Sequence, residues 1–243
     1  MTKKIFKSEE EKMRLRFASY NIFHGGLAKY DMSKIAKNIV ENDIDVVGIQ
    51  EVDIETLRSG KINVIAELAR ATGYPYYAFF KTIDFDGGDY GIAVLSRYPI
   101  VESEKLELES GKSEKRALGM TKIDVDGNNI SFFVTHLTYR DENVRVAQLS
   151  YLADLLSKTD DFILTGDFNT CDLGDIDKLE GIGRVNLKES PTVTFPEDSL
   201  SIDNILYSKS HWRFENINVV TDSYSDHYMI WADGETVLTS WRQ

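Results

Sequence analysis

Asp160-Asp-Phe-Ile-Leu-Thr-Gly-Asp-Phe-Asn-Thr170 is the stretch on which the fold turns. Phe162, Ile163 and Leu164 form a short apolar run with polar flanks, the pattern of a buried strand. Gly166 then lets the backbone turn or approach a neighbour closely. Asp167 and Asn169 follow two residues apart, so a chain that stays extended sends both side chains out on one face. One is an anionic acceptor and the other both accepts and donates, a pairing that suits a phosphate beside a hard cation. The plainer alternative is a strand end with an Asp/Asn turn.

The rest of the chain bounds these possibilities. A length of 243 residues fits one large domain or two small ones. With 42% hydrophobic and 28% charged residues and a mean hydropathy of −0.30, the composition is that of a soluble globular protein. No apolar run has the length needed to cross a bilayer. Ser8 to Arg16 is mostly charged, so the N-terminus offers no apolar core for a signal peptide. Cys171 is the single cysteine and has no partner for an internal disulfide. These features give the expectation of a cytoplasmic protein. The formal net charge of −12 and a pI near 4.8 disfavour broad, non-specific binding to nucleic acid or anionic membrane, while leaving room for a local basic groove.

Working outward, residues 1–13 read as a polar extension, with one domain over 14–243. Arg14 to Ile22 alternates as a strand, and Gly25-Gly26 breaks it. Met32 to Val40 carries apolar residues at helical spacing. Asp43 to Ile49 is a second strand, ending at Gln50-Glu51. Ile62 to Ala71 reads as a helix stopped by Gly73. Strands are expected over Tyr76–Phe80, Gly91–Arg97, Pro99–Leu108, Leu118–Val125 and Asn129–Thr135, the last two flanking the hairpin signal Asp126-Gly127. Val144 to Leu156 is an amphipathic helix. Asp172 to Pro196 is irregular, and Ser201–Tyr207, Phe214–Val220, Tyr228–Ala232 and Glu235–Leu238 complete the strands. Hairpins join some strands and helices join others. That mix argues for a mixed sheet, or two sheets with helices outside, rather than a doubly wound parallel sheet.

A set of polar residues stands where apolar runs end or break: Asn21, Glu51, His136, Asp167, Asn169, Asp203, Asp226 and His227. Ionised groups in such places need partners, a metal or exposure at a rim. So many of them suggests convergence on one face.

The short motifs that hold these residues are Ser19-Tyr-Asn-Ile22, Gly48-Ile-Gln-Glu51, Tyr90-Gly-Ile-Ala-Val-Leu-Ser-Arg97, Thr135-His-Leu137, Gly166-Asp-Phe-Asn169, Ser201-Ile-Asp203 and Ser225-Asp-His227. In this set and order the chain resembles the endonuclease/exonuclease/phosphatase superfamily, the group typified by pancreatic deoxyribonuclease. The resemblance implies a four-layer α/β sandwich: two mixed, mostly antiparallel sheets packed face to face, with helices outside. It also implies metal-dependent hydrolysis of a phosphate ester by in-line attack of water. It makes Glu51 the main ligand of Mg²⁺, or of Mn²⁺ in its place, with Asn21 and Asp226 close by. Oxygen ligands with one or two carboxylates are what Mg²⁺ favours. Asp203 and His227 resemble the family's carboxylate–histidine pair, in which the carboxylate fixes the imidazole tautomer and favours its charged form. His136 matches the histidine that contacts the scissile phosphate. Asn169 would donate to the phosphate and orient Asp167, and Asp167 with the Asp203–His227 pair would orient and deprotonate the water.

Arg97 and Arg116 are each either a phosphate-binding arginine or an ordinary surface one. His24 and His211 fall in no matching motif, and Arg145 and Gln148 read as scaffold. The expected substrate is a phosphate ester, small molecule or nucleic acid, with no obligate protein partner evident. The acidity of the chain leans toward a small or single ester. The competing class is a binding module that keeps the fold without the chemistry, and it would lack a metal or histidine position.

Overall fold

The computed structural model describes residues 12–237. The expected polar extension lies largely outside the described residues, as does Leu238 at the end of the last expected strand.

Among the described residues, the strands form two sheets of six. In the first, β1 (Arg14–Asn21) runs parallel to β2 (Val46–Ile54), and the crossover between them is helix α1 (Met32–Glu41). Asp31 caps α1 by accepting from the Ser33 amide. Helix α2 (Val64–Thr72) begins at the Asn63 cap and ends at Gly73, whose φ of 75° only glycine adopts freely. Then β3 (Tyr76–Phe85) and β4 (Gly88–Ser96) form a hairpin, with β4 antiparallel to β2.

The second sheet starts with β5 (Ile100–Leu108), β6 (Arg116–Val125) and β7 (Asn128–His136). Asp126 and Gly127 both have positive φ between β6 and β7, the two-residue turn that Asp-Gly predicts. Helix α3 (Glu142–Ser157) carries the chain to β8 (Ile163–Asp167), parallel to β7. The short β9 (Ile182–Arg184) and then β10 (Asp203–Ser208) complete this sheet. The chain returns to the first sheet through β11 (Trp212–Val220) and β12 (Met229–Thr236), which pairs with β1.

The layering explains why so many strands read as continuous apolar runs. Neighbouring residues serve different cores because each sheet is covered on both faces. Phe17, Val46, Phe132 and Ile163 pack between the sheets. Ala18 and Val47 turn outward against Ile35, Ile39, Ile65 and Leu68 of α1 and α2. Phe133 and Leu164 turn outward against Leu149, Leu152 and Leu156 of α3. The order is helices, sheet, sheet, helix, the expected four-layer sandwich. At Gly48 an added Cβ would lie 1.9 Å from Thr165 Oγ1, so the sheets meet there only because position 48 has no side chain.

Some element bounds differ from expectation. Asp43 adopts a φ of 53° and stands outside β2, which instead runs on past Glu51 through a bulge between Ile49 and Val52. The last two expected strands are one, because Gly234 continues the ladder opposite Leu15. The irregular stretch contains β9, three residues too short to leave a periodic signal.

Candidate active site

Each sheet has one parallel pair, and both pairs end at the same rim of the sandwich. Asn21 ends β1, and Glu51 lies on the bulge of β2 at a φ of 59°. On the other sheet His136 ends β7, Asp167 ends β8 and Asp203 begins β10. His136 and Asp203 stand on either side of Asp167 in register. Asp226 and His227 come from the loop before β12. Ser225 Oγ ties that loop to β1 by donating to the Asn21 carbonyl at 2.7 Å.

Asn21 joins the sheets. Its amide nitrogen donates to Glu51 Oε1 at 3.2 Å and to Asp167 Oδ2 at 3.0 Å. Its amide oxygen accepts from the Phe23 backbone at 3.1 Å, which fixes its orientation. Burial raises the Glu51 pKa; the bond from Asn21 opposes this and the charge of Asp226 adds to it. Burial also raises the Asp226 carboxyl. Two carboxylates pressed together in this way are electrostatically unsettled, and a divalent cation with oxygen ligands would relieve both. The donor set therefore fits the expected metal. Ligand atoms of Asp167, Asp203 and His227 also lie within 4.8 Å of one another and could hold a cation.

The two buried histidines flank Asp167 and differ in charge. His227 Nδ1 donates to Asp203 Oδ2 at 2.8 Å, and its Nε2 lies 3.6 Å from Asp167 Oδ2. Burial works against its charged form, but the carboxylates of Asp203 and Asp167 outweigh it and push the pKa up to about 10. His136 Nδ1 faces the Arg116 guanidinium at 3.2 Å. Arginine only donates, so this nitrogen is the acceptor and the proton sits on Nε2, 3.4 Å from Asp167 Oδ2. Burial and the charges of Arg116 and His227 lower the His136 pKa well below its ordinary value, so the ring is neutral. Asp167 is pushed up toward neutral pH by burial and by Asp203. The second oxygen of Asp203 is buried with no hydrogen-bond partner among the described residues.

A cleft of about 730 Å³ opens over this cluster, lined by Glu51, His136, Asp167, Asn169, Asp226 and His227 among others. Asn21 and Asp203 stand behind it. All eight expected residues are thus brought together. One detail is corrected: Asn169 does not share an extended face with Asp167. Its φ is 54°, its backbone donates to Asp167 Oδ1 at 2.9 Å, and its side-chain nitrogen donates to the Leu137 carbonyl at 2.9 Å. It orients Asp167 through the main chain.

The two arginines separate. Arg116 is buried in the cleft wall, bonded to Glu114 at 2.7 Å. Arg97 lies elsewhere, with Asp43, Asp45 and Tyr74. Two further cleft residues gave no separate signal. Tyr90 was part of a motif without a role; its buried hydroxyl is pushed well up by burial and by Glu51. Phe195 comes from the irregular stretch and lies 5.0 Å from the His227 ring. His24 and His211 lie outside the cleft lining. Gln148 and Arg145 hold the loop after β7, through Thr138 and through the Thr138 and Tyr139 carbonyls respectively.

A helix-backed double sheet with acids, amides and histidines at its rim defines a class of protein. Residues 18–227 match the model of the Endonuclease/Exonuclease/phosphatase family, and the chain belongs to that family. Over 108 residues the chain is 32% identical to uncharacterized protein YbhP of Escherichia coli K12, a match that spans 42% of each protein. An endonuclease/exonuclease/phosphatase structure from Beutenbergia cavernae superposes with a TM-score of 0.74 at 20% identity, over 92% of this chain and 72% of that one. The mannosyl-6-phosphatase of Bacteroides thetaiotaomicron gives a TM-score of 0.69 at 20% identity, over 92% of this chain and all of that one. At these identities the structural likenesses establish the fold.

Proposed function

We propose that this chain is a divalent-metal-dependent phosphoesterase that hydrolyses its substrate by in-line attack of water on phosphorus. One observation carries the reading: Asp167 Oδ2 is shared by Asn21, a neutral histidine and a charged one, with Glu51 bonded to the same Asn21. Glu51 and Asp226, with Asn21 beside them, would hold Mg²⁺, which supplies stabilisation of charge on the phosphate and the leaving oxygen. The remaining chemistry belongs to side chains. Asp203 holds His227 in the form protonated on Nδ1 and favours its cation. With the proton kept on His227, Asp167 is the group placed to accept one from water. His136 presents Nε2–H, and Arg116 and Asn169 complete the set of donors that would meet the equatorial oxygens. Tyr90 closes the wall beside Glu51.

The test is a metal-supplemented screen of the purified protein against phosphodiesters, phosphomonoesters and nucleic acids. Turnover that disappears with chelator and returns with Mg²⁺ is expected. A protein that binds Mg²⁺ yet hydrolyses none of these would be the binding module instead. A mannosyl-6-phosphatase of Bacteroides thetaiotaomicron shares the fold, so sugar phosphates belong in the screen.

A further inference from the structure

The chain has 40 Asp and Glu against 28 Lys and Arg, so a cation without a carboxylate partner is the exception. Most described cations lie within 4.0 Å of a carboxylate. Lys112, Lys115, Arg140 and Arg145 form no such pair with a described carboxylate; all four come from two adjoining segments, 112–115 and 140–145, and Lys112 and Arg140 line the cleft. Three others, Lys29, Lys61 and Lys209, are scattered over separate loops. The two segments are tied together by Gln148, whose amide nitrogen donates to the Glu109 carbonyl at 2.8 Å and to Thr138 Oγ1 at 3.1 Å.

The rim is built as well as charged. Arg145 donates to the Thr138 and Tyr139 carbonyls at 3.1 and 3.0 Å, which fixes the turn that presents Arg140. Arg140 lies over the ring of Tyr139, 5.6 Å from its centroid, and Tyr139 is 60% exposed. Lys112 and Arg140 both line the cleft, on the side of Arg116 and His136. Of the acids of that side, Glu114 is bonded to Arg116 while its charge also reaches Arg140, and Glu109 accepts from the Gly111 amide. Glu51 lies on β2 of the other sheet and Asp226 in the loop before β12, and Asp167 and Asp198 also line the cleft. The cleft thus carries two cations, Lys112 and Arg140, besides Arg116, among its carboxylates.

We propose that Lys112 and Arg140 form a second anion subsite, so that the preferred substrate carries a further phosphate besides the one cleaved. This rests on the phosphoesterase reading above. The shared chemistry is a second phosphate, whether the next one in a short single strand or the other one in a small bisphosphate.

The experiment compares, with Mg²⁺ present, dithymidine monophosphate with and without an added terminal phosphate at each end, and 1,3-propanediol monophosphate with its bisphosphate. Wild type and the Lys112→Ala/Arg140→Ala double variant are assayed alongside, with a melting curve for each. The expected result is a gain in kcat/KM of roughly tenfold or more from the second phosphate, mainly in KM, since a charge-assisted contact has about that worth. The gain should shrink with salt and vanish in the double variant. A gain confined to the dinucleotides, or to the bisphosphate, supports the subsite and says which source supplies its phosphate. No gain in wild type, or the same gain in the double variant, overturns the proposal. If no ester is hydrolysed at all, the phosphoesterase reading fails separately. The subsite is then read by calorimetry: pyrophosphate should bind wild type more tightly than orthophosphate does, and the double variant should lose that difference. Equal pyrophosphate affinity in the two proteins would overturn it.

Discussion

The two ends of the first sheet are both rich in charge and dispose of it in opposite ways. Where β1 begins, Arg16 bonds Asp233 at 2.7 Å and stacks on Trp231, Arg14 reaches Glu235 at 2.6 Å, and Arg97 meets Asp43 at 2.6 Å and Asp45 at 3.2 Å. Acids and bases alternate and each finds the other. Where β1 ends, Glu51, Asp167, Asp203 and Asp226 gather around two histidines and one arginine that is already bonded to Glu114. The first arrangement is settled and serves stability. The second keeps four carboxylates, Asp167 and Asp203 buried among them, with one charged histidine to answer them, a state that persists in a fold when a cation or a proton transfer uses it.

The largest expected effect lies at the unsettled end. Asp203→Asn keeps the size of the side chain and removes the charge that holds His227 protonated. Turnover should fall by ~100- to 10,000-fold, the usual worth of a positioned acid or base. His227→Ala should cost about as much, and the double variant little more, because the two act as a unit. Losses that multiply in the double variant would separate them. A lower melting temperature with turnover per folded molecule intact would make the pair structural, like those at the other end.

At the settled end, Arg97→Ala should show the reverse profile. A partly exposed ion pair is worth up to ~1 kcal/mol, and in a chain of this size that lowers the melting temperature by about 2–4 °C. Turnover per folded molecule should stay at the wild-type value. A large loss of activity here would mean that the two ends are coupled.

The smallest effect is on the pH dependence of the metal-free protein, and it has opposite signs at the two ends. His227 titrates higher folded than unfolded, so its contribution to stability is fully present below about pH 6.5 and is lost as pH rises through about 10. The raised Asp167 and Glu51 act in the same direction. Across the sheet, Asp233 and Glu235 titrate low: burial opposes this at Asp233, but bonds from Arg16 and Asn216 prevail, and Lys12 acts first at Glu235. Their contribution is present above the ordinary carboxylate range and is lost as pH falls. Half-buried Asp45 is raised instead, with burial leading. Melting curves between pH 6 and 10 should therefore slope downward in the wild type and less steeply in Asp203→Asn. Parallel slopes would remove His227 from the balance.

Much of the candidate site was legible in the sequence, while the ion-paired end was not. Glu51, Asp167 and Asp203 each interrupt an apolar run, and such runs in a two-sheet sandwich point their ends at a rim. What escaped depends on long-range company. Arg97 and Arg116 look alike locally; only the fold brings Asp43 to Arg97, and His136 to Arg116. Asn169 follows Asp167 at strand spacing, but its positive φ turns it away, a local choice that Asn tolerates and that period-two reasoning does not register. The stretch from Asp172 to Pro196 lacks periodicity because its work is done by single contacts: Asn186 exchanges bonds with Asn204, and Thr194 Oγ1 accepts from the Asp203 amide at 3.1 Å. Those contacts seat Asp203, and no pattern announces them.

The central claim is that the carboxylates at the cleft form a cation site centred on Glu51. Calorimetric titration of Mg²⁺ into the wild-type protein and into Glu51→Gln tests it without any substrate. The account predicts saturable binding in the wild type, with a matching rise in melting temperature, and a clear weakening of both in the variant. Unchanged Mg²⁺ affinity in Glu51→Gln would contradict it.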